Sequence, residues 1–208
     1  MLDRRDIFQY RQQQVVTIAA EIGVYALCDL DEVPIYVGQS IDGIRSRVRR
    51  HLTSARSDII ANRQIDVWEI AYVWAWPIGE EWIKPLEAFL FHQFHPASPL
   101  MNGAIPADPG RLDFAIPEKQ RVQVMPDEEI QTRRNPKYRL PRQIEHISRL
   151  VDHILTVKDS LELRASLVAH FNRLQRYYRM FLEPDEADIA RITTTGFIEQ
   201  ERELEENN

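Results

Sequence analysis

The chain has 208 residues, 44% of them apolar and 28% charged, and a net charge of −6. That composition excludes wholesale disorder and suits one domain or two small ones. The longest nearly apolar run, Val15 to Cys28, falls short of the ~20 residues of a membrane-spanning helix, and nothing after Met1 reads as a signal peptide. The single cysteine, Cys28, excludes an intramolecular disulfide framework and a Cys-rich zinc module, and it points to a reducing, cytoplasmic setting.

Residues 3–20 carry apolar positions near helical spacing (Ile7, Tyr10, Ile18), which predicts a first helix. Gly23 to Cys28 and Pro34 to Gly38 are short runs rich in β-branched and aromatic residues. A polar break from Asp29 to Val33 joins them, so they read as a hairpin. From Gly43 to Leu52 the period turns helical: Ile44, Val48 and Leu52 recur every four residues, with Arg45, Arg47, Arg49 and Arg50 between them. Residues 66–77 alternate strictly, which places Trp68, Ile70, Tyr72, Trp74 and Trp76 on one strand face. The tryptophans could stack bases, but an aromatic face at this spacing reads first as core. Residues 80–95 are helical, with Pro85 near the first turn. The order β-β-α-β-α predicts an α+β unit with a three-stranded sheet flanked by helices.

Pro106, Pro109 and Pro117 mark a loop, and the whole of 106–141 reads as an irregular connector. Two amphipathic helices follow, 144–157 and 161–182, with Asp159 as N-cap of the second and Glu162 three residues on. This mainly α-helical C-terminal region extends over 142–198, and 199–208 is an acidic tail expected to be disordered. Residues 133–179 carry 11 basic and 4 acidic side chains; residues 183–206 carry 2 basic and 9 acidic. The basic stretch suits the DNA backbone, or else a solvated helical face. The two helices could equally serve a homodimer or a docked protein partner.

Chemistry-bearing residues concentrate in the first half. Gly23-Val24-Tyr25 lies on the first strand and Tyr36-Val37-Gly38-Gln39-Ser40 on the second. Arg47 and His51 stand one turn apart on the following helix, Glu87 sits on the next, and Asn102 comes after it. In order, spacing and β-β-α-β-α frame these residues resemble the GIY-YIG nuclease family, over about residues 21–105. Pro34 to Gly38 and the Arg47/His51 pair are similar to the restriction-endonuclease branch.

The resemblance implies a metal-dependent endonuclease that hydrolyses DNA phosphodiesters. The alternative to a free-standing enzyme is a nucleic-acid- or protein-binding module, or a nuclease subunit activated only by a partner docked on the C-terminal helices. It makes Glu87 the ligand of one divalent ion, Mg²⁺ with Mn²⁺ as a substitute, a cation that takes one or two carboxylates plus substrate oxygens. Arg47 would clamp the scissile phosphate with a guanidinium that cannot lose its charge. Arg45 is its rival, because the linker before the helix is one residue longer than the family pattern. Tyr25 is the general base or the group that positions the water. His51, which titrates near neutrality, accepts a proton or binds phosphate. Tyr36 holds the phosphate or shapes the pocket, and Asn102 holds loop geometry. Gly38, Gln39, Ser40, Arg45, Arg49 and Arg50 are weaker candidates for touching substrate. His92 and His95 have a metal-capable spacing but no third ligand, and His146, His153 and His170 show no partner pattern.

Overall fold

A computed structural model describes residues 2–53, 57–62 and 64–182, so the acidic tail lies outside the described residues. The chain divides into two compact units, 1–174 and 175–208, and of the second only the end of one helix is described. The fold is α+β, with about half of the described residues helical. Among the described residues no helix is long and apolar enough to cross a membrane.

Helix α1 (Arg4–Val15) starts at Asp3, whose carboxylate accepts a hydrogen bond from the Arg5 amide at 2.9 Å, an N-cap of the usual kind. Strands β1 (Gly23–Cys28) and β2 (Pro34–Ser40) form the expected hairpin. Its turn is built on Asp29, whose Oδ1 accepts from the Asp31 and Val33 amides at 2.9 Å each, while Glu32 takes the left-handed conformation at φ 60°. Helices α2 (Ile44–Thr53) and α3 (Asp58–Ala61), strand β3 (Tyr72–Pro77) and helix α4 (Glu80–Phe94) follow. The C-terminal half holds β4 (Gln120–Gln123), α5 (Asp127–Arg134), α6 (Pro136–Thr156) and α7 (Leu161–Leu182).

The sheet has four strands rather than the expected three, ordered β2-β1-β3-β4 and antiparallel throughout. The fourth is polar and short. Its one buried apolar residue, Val122, faces Val73 of β3, so hydrophobic alternation gives no warning of it. The segment 106–141 is thus not an irregular connector throughout. It also contains α5 and the start of α6, where Pro136 occupies the first turn, a position that needs no backbone N–H. Residues 66–71 alternate like a strand but form a turn: the Asp66 carboxylate accepts from the Trp68 amide at 3.0 Å, and Glu69 N–H donates to the Asp66 carbonyl at 3.0 Å. Trp68 therefore lies off the sheet, beneath the Arg4, Arg11 and Arg133 guanidiniums at 5.8, 5.4 and 4.6 Å from its ring. The cap of α7 is Ser160, not Asp159. Ser160 Oγ accepts from the Leu163 amide at 3.3 Å, and Asp159 pairs with Arg164 instead.

Both faces of the sheet are covered, which is why β1 is buried at every position. On one face Tyr25, Leu27, Val73 and Ala75 pack with Val15 and Ile18 of the α1 region and Ile44, Val48 and Leu52 of α2. On the other, Val24, Ala26, Val37 and Trp76 meet Ile83, Leu86, Leu90 and Phe91 of α4. The free Cys28 is buried in this second core, where burial pushes its thiol pKa well up.

Four arginines of the basic stretch are consumed inside the protein, and the other seven basic residues of 133–179 are exposed. Arg139, 1% exposed, donates from Nε to Glu69 at 2.8 Å and from Nη1 to Asp31 at 2.6 Å. Arg142 Nε donates to Asp66 at 3.0 Å, and Arg133 pairs with Glu129 at 2.6 Å. Arg173 Nη1 donates to the wholly buried Asp29 at 2.7 Å, while its Nη2 donates to the Pro34 carbonyl at 2.8 Å and to Ser98. Around it on the same face of α7, Ser166 donates to the Met101 carbonyl at 3.1 Å and His170 Nε2 to the Gln64 carbonyl at 2.8 Å. Burial and His146 hold the His170 pKa down at about 3, so this imidazole is neutral. Arg139, Arg142 and Arg173 dock their helices, Arg133 pairs within α5, and none of these four belongs to a free basic face.

Removing one member of a buried ion pair leaves the other charged and desolvated. Arg173→Ala is expected to lower unfolding stability by up to about 3–5 kcal/mol, because the buried Asp29 loses the cation at 2.7 Å and keeps Arg139 at 3.7 Å. Arg149→Ala, at the exposed pair with Glu145, is expected to cost under about 1 kcal/mol. Urea unfolding midpoints of the two variants measure the contrast.

Candidate active site

The register of the hairpin builds the site. Tyr25 lies opposite Gly38 and Leu27 opposite Tyr36, so the two tyrosines share one sheet face as diagonal neighbours, with ring centroids 6.2 Å apart. Two glycines make this arrangement possible. At Gly23, φ is +153° and an added Cβ would sit 2.2 Å from the Trp76 carbonyl oxygen, so no side chain fits. At Gly38 a Cβ would meet the Tyr25 hydroxyl at 2.6 Å and the Tyr36 ring at 2.7 Å. Gly38 therefore shapes the site by making room for both rings.

Helix α2 covers this face. His51, 1% exposed, lies 5.9 Å from the Tyr25 ring and 6.1 Å from that of Tyr36. Its Nε2 is 2.8 Å from the Tyr25 hydroxyl and its Nδ1 is 2.7 Å from Ser57 Oγ. One turn earlier on the same helix stands Arg47, whose guanidinium charge reaches the Tyr25 phenol. Burial, and after it Tyr36, raise the phenol pKa well above its usual value; Arg47 pulls against them. Arg45 takes another course, its Nε donating to the Ile18 carbonyl at 2.7 Å. Arg49 and Arg50 are exposed. Of the four arginines on this helix, Arg47 is the one whose charge acts on the tyrosine.

Glu87 and Asn102 complete the site from the other side of β2, which is an edge strand of the sheet. Asn102 closes that edge: its Oδ1 accepts from the Val37 amide at 3.0 Å and its Nδ2 donates to the Val37 carbonyl at 2.6 Å. Tyr36, Glu87 and Asn102 line a cavity of about 540 Å³. The far wall comes from the α6–α7 elbow, through Lys158, Ser160 and Glu162. Burial alone raises the Glu87 carboxyl to about 7. Among the described residues no group of three or more His, Cys, Asp or Glu side chains converges on a metal position. A half-buried carboxylate whose charge is held back only by desolvation nevertheless suits a divalent cation that brings its own waters and takes oxygens from the substrate. The donor set at Glu87 fits Mg²⁺ on that ground.

Other sequence candidates lie elsewhere. Ser40 is buried and donates to the Gly43 carbonyl at 2.9 Å, a turn contact. Gln39 faces a separate pocket beside Glu80 and Lys84 of α4. His92 Nε2 lies 2.8 Å from the Pro106 carbonyl, and His95 stacks on Phe91 and accepts from the Leu100 amide at 3.2 Å. Trp76 is core, and Trp74 donates to Glu32 at 3.1 Å beneath the Lys119 ammonium. Three contributors escaped the sequence: Ser57, which follows His51 by six residues with no periodic signal, and the elbow residues Lys158 and Glu162, which reach the cavity only through the fold.

Comparison with protein-family models, with curated proteins and with solved structures finds no match. The likeness to GIY-YIG nucleases rests on the motif residues themselves.

The raised Glu87 carboxyl has a definite sign. The folded state holds this proton up to about pH 7, whereas the unfolded chain releases it near pH 4.5, so stability falls as pH rises through that window. Glu87→Gln removes the titration. In metal-free buffer the variant is expected to gain about 1–2 kcal/mol over the parent between pH 4.5 and pH 8, after allowance for solvent screening. Urea unfolding at the two pH values measures it.

Proposed function

We propose that this protein is a metal-dependent endonuclease that hydrolyses DNA phosphodiester bonds. The reading is carried by one observation: the Tyr25 phenol lies 2.8 Å from His51 Nε2 and within reach of the Arg47 charge, on the same sheet face as Tyr36, beside the Glu87 cavity. Phosphodiester hydrolysis needs an activated water, a clamp for the charge on the phosphoryl oxygens, and relief for the leaving oxygen. A divalent ion bound at Glu87 supplies Lewis-acid stabilisation of that charge. Arg47 offers a fixed cation to the same phosphate, and Tyr36 a hydroxyl at the cavity wall. Tyr25 takes a proton from the attacking water as its own proton passes to His51. The water oxygen bonds to phosphorus, the bond to the leaving oxygen breaks, and that oxygen takes a proton from solvent. Asn102 keeps the β2 edge in register, so that Tyr36 stays at the wall.

The choice of DNA over RNA, and a setting in restriction or other anti-invader defence, follow the motif resemblance. The buried, reduced Cys28 is in keeping with a cytoplasmic enzyme. A second reading has an observation of its own. Tyr25 is wholly buried, and the elbow of α6 and α7 walls the cavity, so water reaches the phenol only after a displacement. A partner protein, or DNA itself, acting on the elbow would then switch the enzyme on.

Incubation of supercoiled plasmid with Mg²⁺, Mn²⁺ or chelator, wild type beside Glu87→Ala, tests both readings. Metal-dependent cutting that disappears in the variant is the expected result, and discrete bands favour restriction. Equal inertness of the two, with DNA binding retained, would sink the free-standing enzyme and leave the partner-activated form.

A further inference from the structure

Ser57 has no part in the motif that suggests nuclease chemistry, yet it touches the site's only imidazole. Its side chain is fully buried, and its Oγ lies 2.7 Å from His51 Nδ1. The opposite ring nitrogen lies 2.8 Å from the Tyr25 hydroxyl. Ser57, His51 and Tyr25 thus form an unbroken chain of buried polar groups, each within hydrogen-bonding distance of the next.

The direction of each proton follows from what the partners are able to do. The Arg47 guanidinium, which can only donate, offers the Tyr25 hydroxyl no acceptor. The Tyr25 O–H then needs an acceptor, because a buried hydroxyl without one is costly. His51 Nε2 is the acceptor in reach, and it accepts only when unprotonated. The imidazole proton must therefore sit on Nδ1, which donates to Ser57 Oγ.

The geometry points to Ser57 as a positioning residue that holds His51 in the Nδ1–H tautomer, with Nε2 free to take the proton of Tyr25. The logic is that of an oriented base: a nucleophile or water-activating group, the base that receives its proton, and a third group that fixes the base. Transfer moves one proton from the Tyr25 oxygen to His51 Nε2. The phenolate oxygen is left to take a proton from water, and the imidazolium that forms keeps its Nδ1–H bond to Ser57. Without Ser57 the ring loses its Nδ1 acceptor. The other tautomer, with hydrogen on Nε2, would point a donor at Tyr25 and leave the phenol with no place to send its proton. This role deepens the nuclease reading and rests on it for its effect on turnover; the tautomer itself does not.

Long-range nitrogen–proton correlation spectra of the ¹⁵N-labelled full chain read the tautomer directly. The His51 signals are assigned by comparison with His51→Gln. The wild type is expected to show a protonated Nδ1 and a bare Nε2. Ser57→Ala is expected to move His51 toward the Nε2–H form, and Ser57→Thr, which keeps the hydroxyl, to restore the wild-type pattern. In plasmid cleavage, Ser57→Ala is expected to lower kcat by about a hundredfold with KM for DNA unchanged, as for a misaligned catalytic group, and Ser57→Thr to recover most of it. Wild-type nitrogen shifts retained in Ser57→Ala would overturn the proposal whatever the activity does. A wild-type spectrum with the proton on Nε2 would overturn it as well. A tautomer shift in Ser57→Ala, in a protein whose wild type does not cut DNA, would support the positioning role and remove the free-standing nuclease reading instead.

Discussion

The structure hangs on the carboxylate of Asp29. One of its oxygens accepts from the Asp31 and Val33 amides and so shapes the β1–β2 turn; the other takes Arg173 from α7. The first contact sets the hairpin register, and that register puts Tyr25 opposite Gly38 with Tyr36 beside them. The second ties the C-terminal helix to the same turn. Arg139 adds Asp31 and Glu69 to the cluster and Arg142 adds Asp66. The burial is costly: even with two arginines in contact, the Glu69 carboxyl is held above its ordinary pKa by desolvation. Its structural consequence is specific placement. Helices α6 and α7 are attached by directional, charged contacts, and the elbow between them arrives at the wall of the cavity.

The site itself is an electrostatic compromise. Burial makes Tyr25 and Glu87 favour their neutral forms, and Arg47 is the cation that opposes this at Tyr25. A buried phenol within reach of an arginine's charge and bonded to an imidazole has a route by which to lose its proton. A carboxyl at about 7 is half-ionised in neutral solution, and a cation of higher charge would complete its ionisation. In the proposed chemistry these are the two places where charge is created, and the free protein holds both in check.

Much of this was legible in the sequence, for reasons that can be named. Runs rich in β-branched and aromatic residues disclosed β1 and β2, and strict alternation disclosed β3, which lies within residues 66–77. The four-residue step from Arg47 to His51 disclosed a shared helix face, because local periodicity reports local geometry. Strand β4 was hidden because a polar edge strand needs only one apolar residue, here Val122, to sit on its neighbour. The alternation from Asp66 to Ala71 misled because an Asx turn can carry the same pattern. Within the basic run of 133–179, the residues that dock helices could not be told from the exposed ones, because sequence shows charge without its partner. Arg139, Arg142 and Arg173 find theirs at Asp29, Asp31, Asp66 and Glu69, each at least 70 residues away. Ser57 and the elbow residues belong to the same class: their roles exist only in the tertiary structure.

The central claim is that the Glu87 cavity is where a phosphodiester bond is held and cleaved. The most direct test is a crystal structure of the full chain with Mn²⁺ and a duplex carrying non-cleavable phosphorothioate linkages, with the ion located by its anomalous scattering. The account predicts an Mn²⁺ peak at the Glu87 carboxylate, bridged to a backbone phosphate that Arg47 also contacts. An ion and a duplex bound at another surface, with no density beside Glu87, would contradict it.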